Sequence, residues 1–173
     1  MSVGTDGDDT DSDFAEYAAA RWPVLLRSAV FLGCTPHEAE DLAQTTLLRC
    51  YTSWRRVARA DHRDAYVSRV LVNAFRESRR RRWWGERPTG DPTELDVAVP
   101  DATDDLADTA SVRRALAGIS TPQREVVVLR YYLQLSERET ADALRIPPGT
   151  VKSRLSAALK HLATALEPAP EEH

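Results

Sequence analysis

A chain of 173 residues with 42% hydrophobic content can build one medium domain or two small ones, each with a folded core. Two cysteines, Cys34 and Cys50, give no disulfide framework and fit a reducing compartment. No apolar run approaches the roughly 20 residues that span a bilayer, and the acidic start lacks the apolar core of a secretory signal, so the chain is read as cytoplasmic, with no membrane insertion. The net charge of −4 conceals strong segregation. Residues 6 to 13 carry five aspartates and no base, and residues 86 to 108 carry eight acids against Arg87. Between them, residues 55 to 82 carry ten arginines against Asp61, Asp64 and Glu77. A local basic stripe matters more to a polyanion than the whole-chain total.

Residues 1–12 are acidic and aperiodic and are expected to form a disordered tail. Phe14, Tyr17, Ala18, Trp22, Leu25, Leu26, Ala29 and Leu32 then trace a helical stripe that ends near Gly33. Pro23 either kinks this helix or marks its start. Thr35, Pro36 and Glu38 form the capping box of a second helix. Its inward face is Ala39, Leu42, Ala43, Thr46, Leu47, Cys50 and Trp54. Asp41, Gln44, Thr45 and Leu48 form another face at i, i+3, i+4, i+7, which suits a partner protein, although by itself a solvated face is the commoner explanation.

Arg55 to Arg63 reads as a short basic loop. Asp64 can cap a third helix that turns Tyr66, Val67, Val70, Leu71, Ala74 and Phe75 inward. Arg69, Asn73, Arg76 and Arg80 lie along its other side, and it runs into Arg79-Arg-Arg-Arg-Trp-Trp84. Arginines beside tryptophans suit single-stranded nucleic acid, because bases stack on aromatic faces while cations hold phosphates; a solubilising helix end with one tryptophan closing the core is the other reading.

Pro88, Pro92, Pro100, Gly90 and the acids around them make residues 86–107 a linker and domain boundary. Ser111 to Ile119 is a short helix, and Thr121-Pro122 opens another that leads to Tyr131-Tyr132. Ser136 and Glu139 form a further capping box, Ala141 and Leu144 point inward, and Pro148 opens the last helix. There Val151, Leu155, Ala158, Leu159 and Leu162 make the apolar stripe. Thr150, Lys152, Ser153 and Arg154 make a basic, hydroxyl-bearing face without an acid. A capped helix, a small residue at the crossing, a tight turn and a basic second helix follow helix-turn-helix logic.

Two blocks in this order carry a family resemblance. Ala39-Glu-Asp-Leu-Ala-Gln-Thr-Thr-Leu-Leu-Arg49 and Gly149-Thr-Val-Lys-Ser-Arg154 resemble sigma-70 transcription initiation factors of the compact extracytoplasmic-function (group 4) type. Val70-Leu-Val-Asn73 with the arginine run is similar to the part that reads the −10 element. The Trp83-Trp84 ending looks like an actinobacterial subgroup called SigE-like. The resemblance implies an all-α fold of two small helical domains, a region 2 bundle at 13–85 and a region 4 helix-turn-helix at 108–167. An acidic, proline-containing linker joins them, and 168–173 is a tail.

It also implies roles. Asp41, Gln44, Thr45 and Leu48 would bind RNA polymerase core at the β′ clamp, and region 4 would meet the β flap. Arg69, Asn73, Arg76, Arg79 and Arg80 would hold the −10 element of promoter DNA, with Asn73 reading a flipped base. Thr150, Lys152, Ser153 and Arg154 would enter the major groove of the −35 element. An anti-sigma factor is a candidate partner that would sequester these faces in the free state; the acidic tail or linker is the alternative screen. Three positions depart from the family: Thr45 where Glu is usual, Arg145 where Gly is usual, and Ile119-Ser120 where Leu-Pro is commoner. If the turn at Arg145 needs a positive φ, the arginine costs about 1 kcal/mol or more.

Two other readings compete. A stand-alone helix-turn-helix regulator explains residues 111 to 166 but not the clamp-like face or the Arg–Trp stretch. A zinc site at Cys34, His37 and Cys50 lacks a convincing fourth ligand, so no metal or cofactor is expected. No nucleophile–base pair or phosphate loop stands out, so the chain is not read as an enzyme.

Overall fold

The computed structural model describes residues 5–84 and 106–166, and all regular structure in them is helical. Four helices make the N-terminal bundle: α1 (Thr5–Leu32), α2 (Pro36–Tyr51), α3 (Trp54–Ala58) and α4 (Arg63–Trp84). The C-terminal part has α5 (Leu106–Ala117), α6 (Thr121–Val127), a π-helical turn (Val128–Tyr132), α7 (Glu137–Leu144) and α8 (Pro148–Leu166).

α1 begins before the expected boundary, so residues 5–12 are helix and not a disordered tail. Long-range hydrogen bonds fasten the end of this stretch to the bundle. The Tyr51 hydroxyl donates to Asp11 at 3.0 Å, and Trp54 Nε1 donates to Asp13 at 2.9 Å. Beneath them Phe14 packs on Tyr51 and Trp54, with ring centroids 4.9 and 5.1 Å apart. The helix passes through Pro23, whose ring is exposed, as is Ala19 one turn before it; the carbonyl that loses its partner therefore faces water.

Gly33, at φ 103°, ends α1. Its N–H donates to the Val30 carbonyl and that of Cys34 to the Ala29 carbonyl, each at 3.0 Å, which forms a Schellman stop. α2 starts with the Thr35–Glu38 capping box, formed in both directions. The stretch expected as a basic loop from Arg55 is in part α3, because buried Trp54 and Val57 pin one helical turn to the bundle. Asp64 lies inside the first turn of α4, where it accepts from the Tyr17 hydroxyl at 3.0 Å and pairs with Arg21 at 3.4 Å.

α4 buries Val67, Ser68, Leu71, Val72, Ala74 and Phe75. Val72 falls outside the stripe expected from periodicity. It is covered because α4 is packed on two sides, against α2 and against α7. The linker expected at 86–107 lies largely, and the tail expected at 168–173 wholly, outside the described residues.

In the C-terminal part, Ser120 caps α6 through a box with Gln123, which gives the departure from Leu-Pro a local purpose. The Ser136–Glu139 box opens α7 as expected, and Ala141 is buried where α7 meets α8. α8 buries Val151 and Ala158 and half-buries Leu155 and Leu162, whereas Leu159, expected inward, is 38% exposed at the edge of the stripe. The two parts do not stand apart. α1 packs on α5, α6 and the π turn, and α4 packs on α7, so one apolar core runs from Leu25 to Ala158.

Candidate nucleic-acid interface

The face predicted on α2 is exposed as a unit: Asp41, Gln44, Thr45 and Leu48 all face outward, with Leu48 64% exposed. Asp41 has His37 at 3.7 Å one turn before it. Beside this face lies a shallow apolar groove of about 510 Å³, lined by Phe14, Ala18, Trp22, Leu47, Leu48 and Tyr51 among others. Leucine exposed next to an apolar groove is unusual for a solvated surface and fits a docking face.

The α4 residues divide. Arg69 and Arg80 are exposed and Asn73 is half-buried. The exposed Arg79 lies with its guanidinium 5.2 Å from the Phe75 ring centroid. Arg81 pairs with Glu77 and Arg82 with Glu38, so the four-arginine run is only partly available to another anion. Trp83 and Trp84 are 89% and 82% exposed. Arg76 is elsewhere engaged: its Nε and Nη2 donate to the two carboxylate oxygens of Glu125 at 2.9 and 2.6 Å. Its Nη1 donates to the Leu144 carbonyl at 2.9 Å. The hydrogen bond to Glu125 raises the guanidinium pKa above its ordinary value.

On α8, Thr150 and Arg154 are half-buried, while Lys152 and Ser153 are exposed. Lys152 has Glu137 of α7 at 3.8 Å, an exposed pair of little strength. The turn before α8 carries the geometry that its sequence left open. Arg145 is left-handed, at φ 55° and ψ 47°. Its N–H donates to the Asp142 carbonyl and that of Ile146 to the Ala141 carbonyl at 3.1 Å, again a Schellman stop. The turn does need a positive φ, and an arginine occupies it.

Two residues escaped the sequence reading. Glu125 is 3% exposed on α6, and Arg124 beside it reaches carbonyls at the ends of α1 and α5. The available signal was an acid at the head of the apolar run Val126-Val-Val-Leu129, since a buried carboxylate needs a cation. An apolar cleft of about 340 Å³ also opens between the two parts, lined by Phe31, Leu116, Val127, Tyr131 and Tyr132 among others. The cysteines are inward. Burial pushes the Cys34 thiol up to about 12 and the Cys50 thiol up to about 11.

A capped helix-turn-helix with a basic second helix, beside a bundle edged with arginine and tryptophan, makes an all-helical protein of two parts that each carry a cationic face. Family comparison gives the same division: sigma-70 region 2 matches residues 20–85 and sigma-70 region 4 matches residues 109–162. The chain is 42% identical over 158 residues to the RNA polymerase sigma-E factor of Streptomyces avermitilis, covering 90% of this chain and 86% of that one. It is 41% identical over 153 residues to the sigma-E factor of Streptomyces coelicolor, covering 87% and 84%. Among solved structures, it is similar to the sigma factor RpoE of Bartonella quintana in complex with the anti-sigma factor NepR, with TM-score 0.73 and 26% identity over 90% of this chain and 97% of that one. The chain therefore belongs to the sigma-70 family, as an RNA polymerase sigma factor of the extracytoplasmic-function kind that serves promoter-specific transcription initiation.

Proposed function

We propose that α2 is the grip on RNA polymerase core, that α4 holds the −10 element and that α8 enters the −35 element. The observation that carries the first assignment is the outward face of Asp41, Gln44, Thr45 and Leu48 beside an apolar groove. Asp41 and Gln44 offer the clamp a carboxylate and an amide, and Leu48 offers buried area once covered. Thr45 in place of glutamate removes one charge from that contact. Its loss leaves the grip more apolar and less dependent on salt.

At the −10 element, Arg69, Arg76, Arg79 and Arg80 neutralise phosphates and Asn73 accepts from and donates to one unpaired base. Capturing such bases offsets an unstacking cost of a few kcal/mol, so melting needs no enzymatic step. At the −35 element the small and hydroxylic side chains of Thr150 and Ser153 allow close approach, while Lys152 and Arg154 supply charge. The β flap meets region 4. An anti-sigma factor is a candidate partner, supported by the similar RpoE having been solved with one, and the apolar cleft at Phe31 and Tyr132 offers it an anchor. The setting is the cytoplasm, where polymerase works; among the described residues no helix is long and apolar enough to cross a membrane. A free-standing regulator has no use for a region 2 match or for the α2 face.

Run-off transcription with purified core over a pool of promoter fragments tests the whole assignment. Wild-type chain directs initiation at specific start sites, and Leu48→Asp abolishes it while folding normally. Specific initiation by core without the chain, or undiminished initiation with Leu48→Asp, overturns the reading.

A further inference from the structure

The helix assigned to the −10 element is one of two on which the C-terminal part is docked, α1 being the other. α4 packs along α7, and the Arg76–Glu125 fork closes the contact. Glu125 sits 3% exposed in an apolar wall. A carboxylate left there without a cation carries a large desolvation penalty. Among the described residues Arg76, from the other part, is the cation paired with it. Glu125 thus has its stabilising partner only while region 4 lies on α4. Arg76 also bonds the Leu144 carbonyl, one residue before the left-handed Arg145, and so holds the end of α7.

Other contacts join the parts besides, Arg27 lying beside Tyr132 among them. Arg124 Nη1 donates to the Leu32 carbonyl at 3.2 Å, through space that a side chain at Gly33 would fill. Phe31 meets Tyr132 edge to face at 5.1 Å. His62 lies 3.6 Å from Glu139, an exposed contact of small weight. None of these uses a residue assigned to DNA, whereas the fork uses Arg76.

A guanidinium held bidentately by a carboxylate has the geometry in which it would hold a phosphate. One fork cannot serve both anions. We propose that Glu125 is a built-in phosphate mimic and that the Arg76–Glu125 pair is an autoinhibitory latch, closing region 4 over α4 in the free chain until promoter DNA on polymerase takes its place. The proposal rests on the assignment of Arg76 to the −10 element. A ligand that binds the open form alone sees its affinity reduced by the open fraction, so weakening the latch raises apparent affinity without any new contact.

The test uses the full-length chain. Glu125→Gln keeps the shape and removes the charge. Small-angle scattering then gives a larger radius of gyration than wild type, and a random single-stranded DNA of about 20 nucleotides binds at least about threefold more tightly. Arg76→Glu also opens the chain, and the swap Arg76→Glu with Glu125→Arg recloses it. Should Glu125→Gln fail to fold, by circular dichroism, the Arg76→Glu variant and the swap carry the compaction readout. Unchanged compaction in both single variants, or opening without tighter DNA binding by Glu125→Gln, overturns the latch. Run-off by the wild-type holoenzyme separates the two ideas. If it fails, the promoter assignment falls; if it succeeds while the Glu125→Gln affinity is unchanged, the latch alone falls.

Discussion

Replacing Arg145 by glycine stabilises the protein, although it removes a long side chain. Arg145 is fixed at φ 55° by the Schellman stop that turns α7 into α8. A residue with a Cβ in that conformation costs about 1–2 kcal/mol. Glycine removes the clash but adds unfolded-state freedom worth about 0.4–1 kcal/mol. The net gain is therefore about 0.5–1 kcal/mol. The side chain offers little to set against this, since Arg145 is exposed and no hydrogen bond of its guanidinium occurs among the described residues. Urea unfolding of wild type, Arg145→Gly and Arg145→Ala measures the effect. Alanine keeps the Cβ, so Arg145→Ala stays within about 0.5 kcal/mol of wild type. Arg145→Gly moves its midpoint up by about half a molar or less with an unchanged slope. A glycine variant no more stable than the alanine variant refutes the argument, because the two differ at that position only in the Cβ.

Other expectations follow from single contacts. Ser136→Ala removes the cap of α7 and lowers stability by about 1 kcal/mol in the same urea assay. Hydrogen bonding to Ser136 holds the Glu139 carboxyl below its ordinary value of 4.5, so its contribution is whole above that pH and is lost as pH falls through the folded value. Glu139→Gln, which can still complete the box, flattens that part of the stability–pH curve; an unchanged acid slope would contradict this. Ala141→Leu overpacks the α7–α8 crossing and costs about 1–3 kcal/mol, visible as a lowered melting temperature. At pH 8 a thiol whose pKa is about 12 is thiolate in roughly one molecule in ten thousand, so Cys34 reacts with a thiol reagent only after denaturation, and rapid labelling of the native chain would sink that expectation.

The parts of the protein that its sequence determined are those whose causes lie within one or two turns of chain. Thr35 with Glu38, Ser136 with Glu139, and Pro148 each announce a helix start, because capping couples residues three apart. The outward faces of α2 and α8 were legible for the same reason: helical spacing alone places Asp41 with Leu48, and Lys152 with Ser153. Arg145 could be flagged as a residue whose backbone mattered, though not assigned a φ, since sequence fixes the options at a turn and packing selects among them.

Tertiary structure decided what depends on partners far along the chain. α1 is fastened ahead of Phe14 because Tyr51 and Trp54, some forty positions away, bind Asp11 and Asp13. Val72 is buried because a second domain covers α4, and periodicity cannot count how many neighbours a helix will have. Arg76 read as one more phosphate-binding arginine on a basic helix. Its Glu125 partner, 49 residues on and past the linker, was a lone acid before an apolar run. Charge complementarity between such residues has no period and no fixed spacing, so only the folded chain brings the two together.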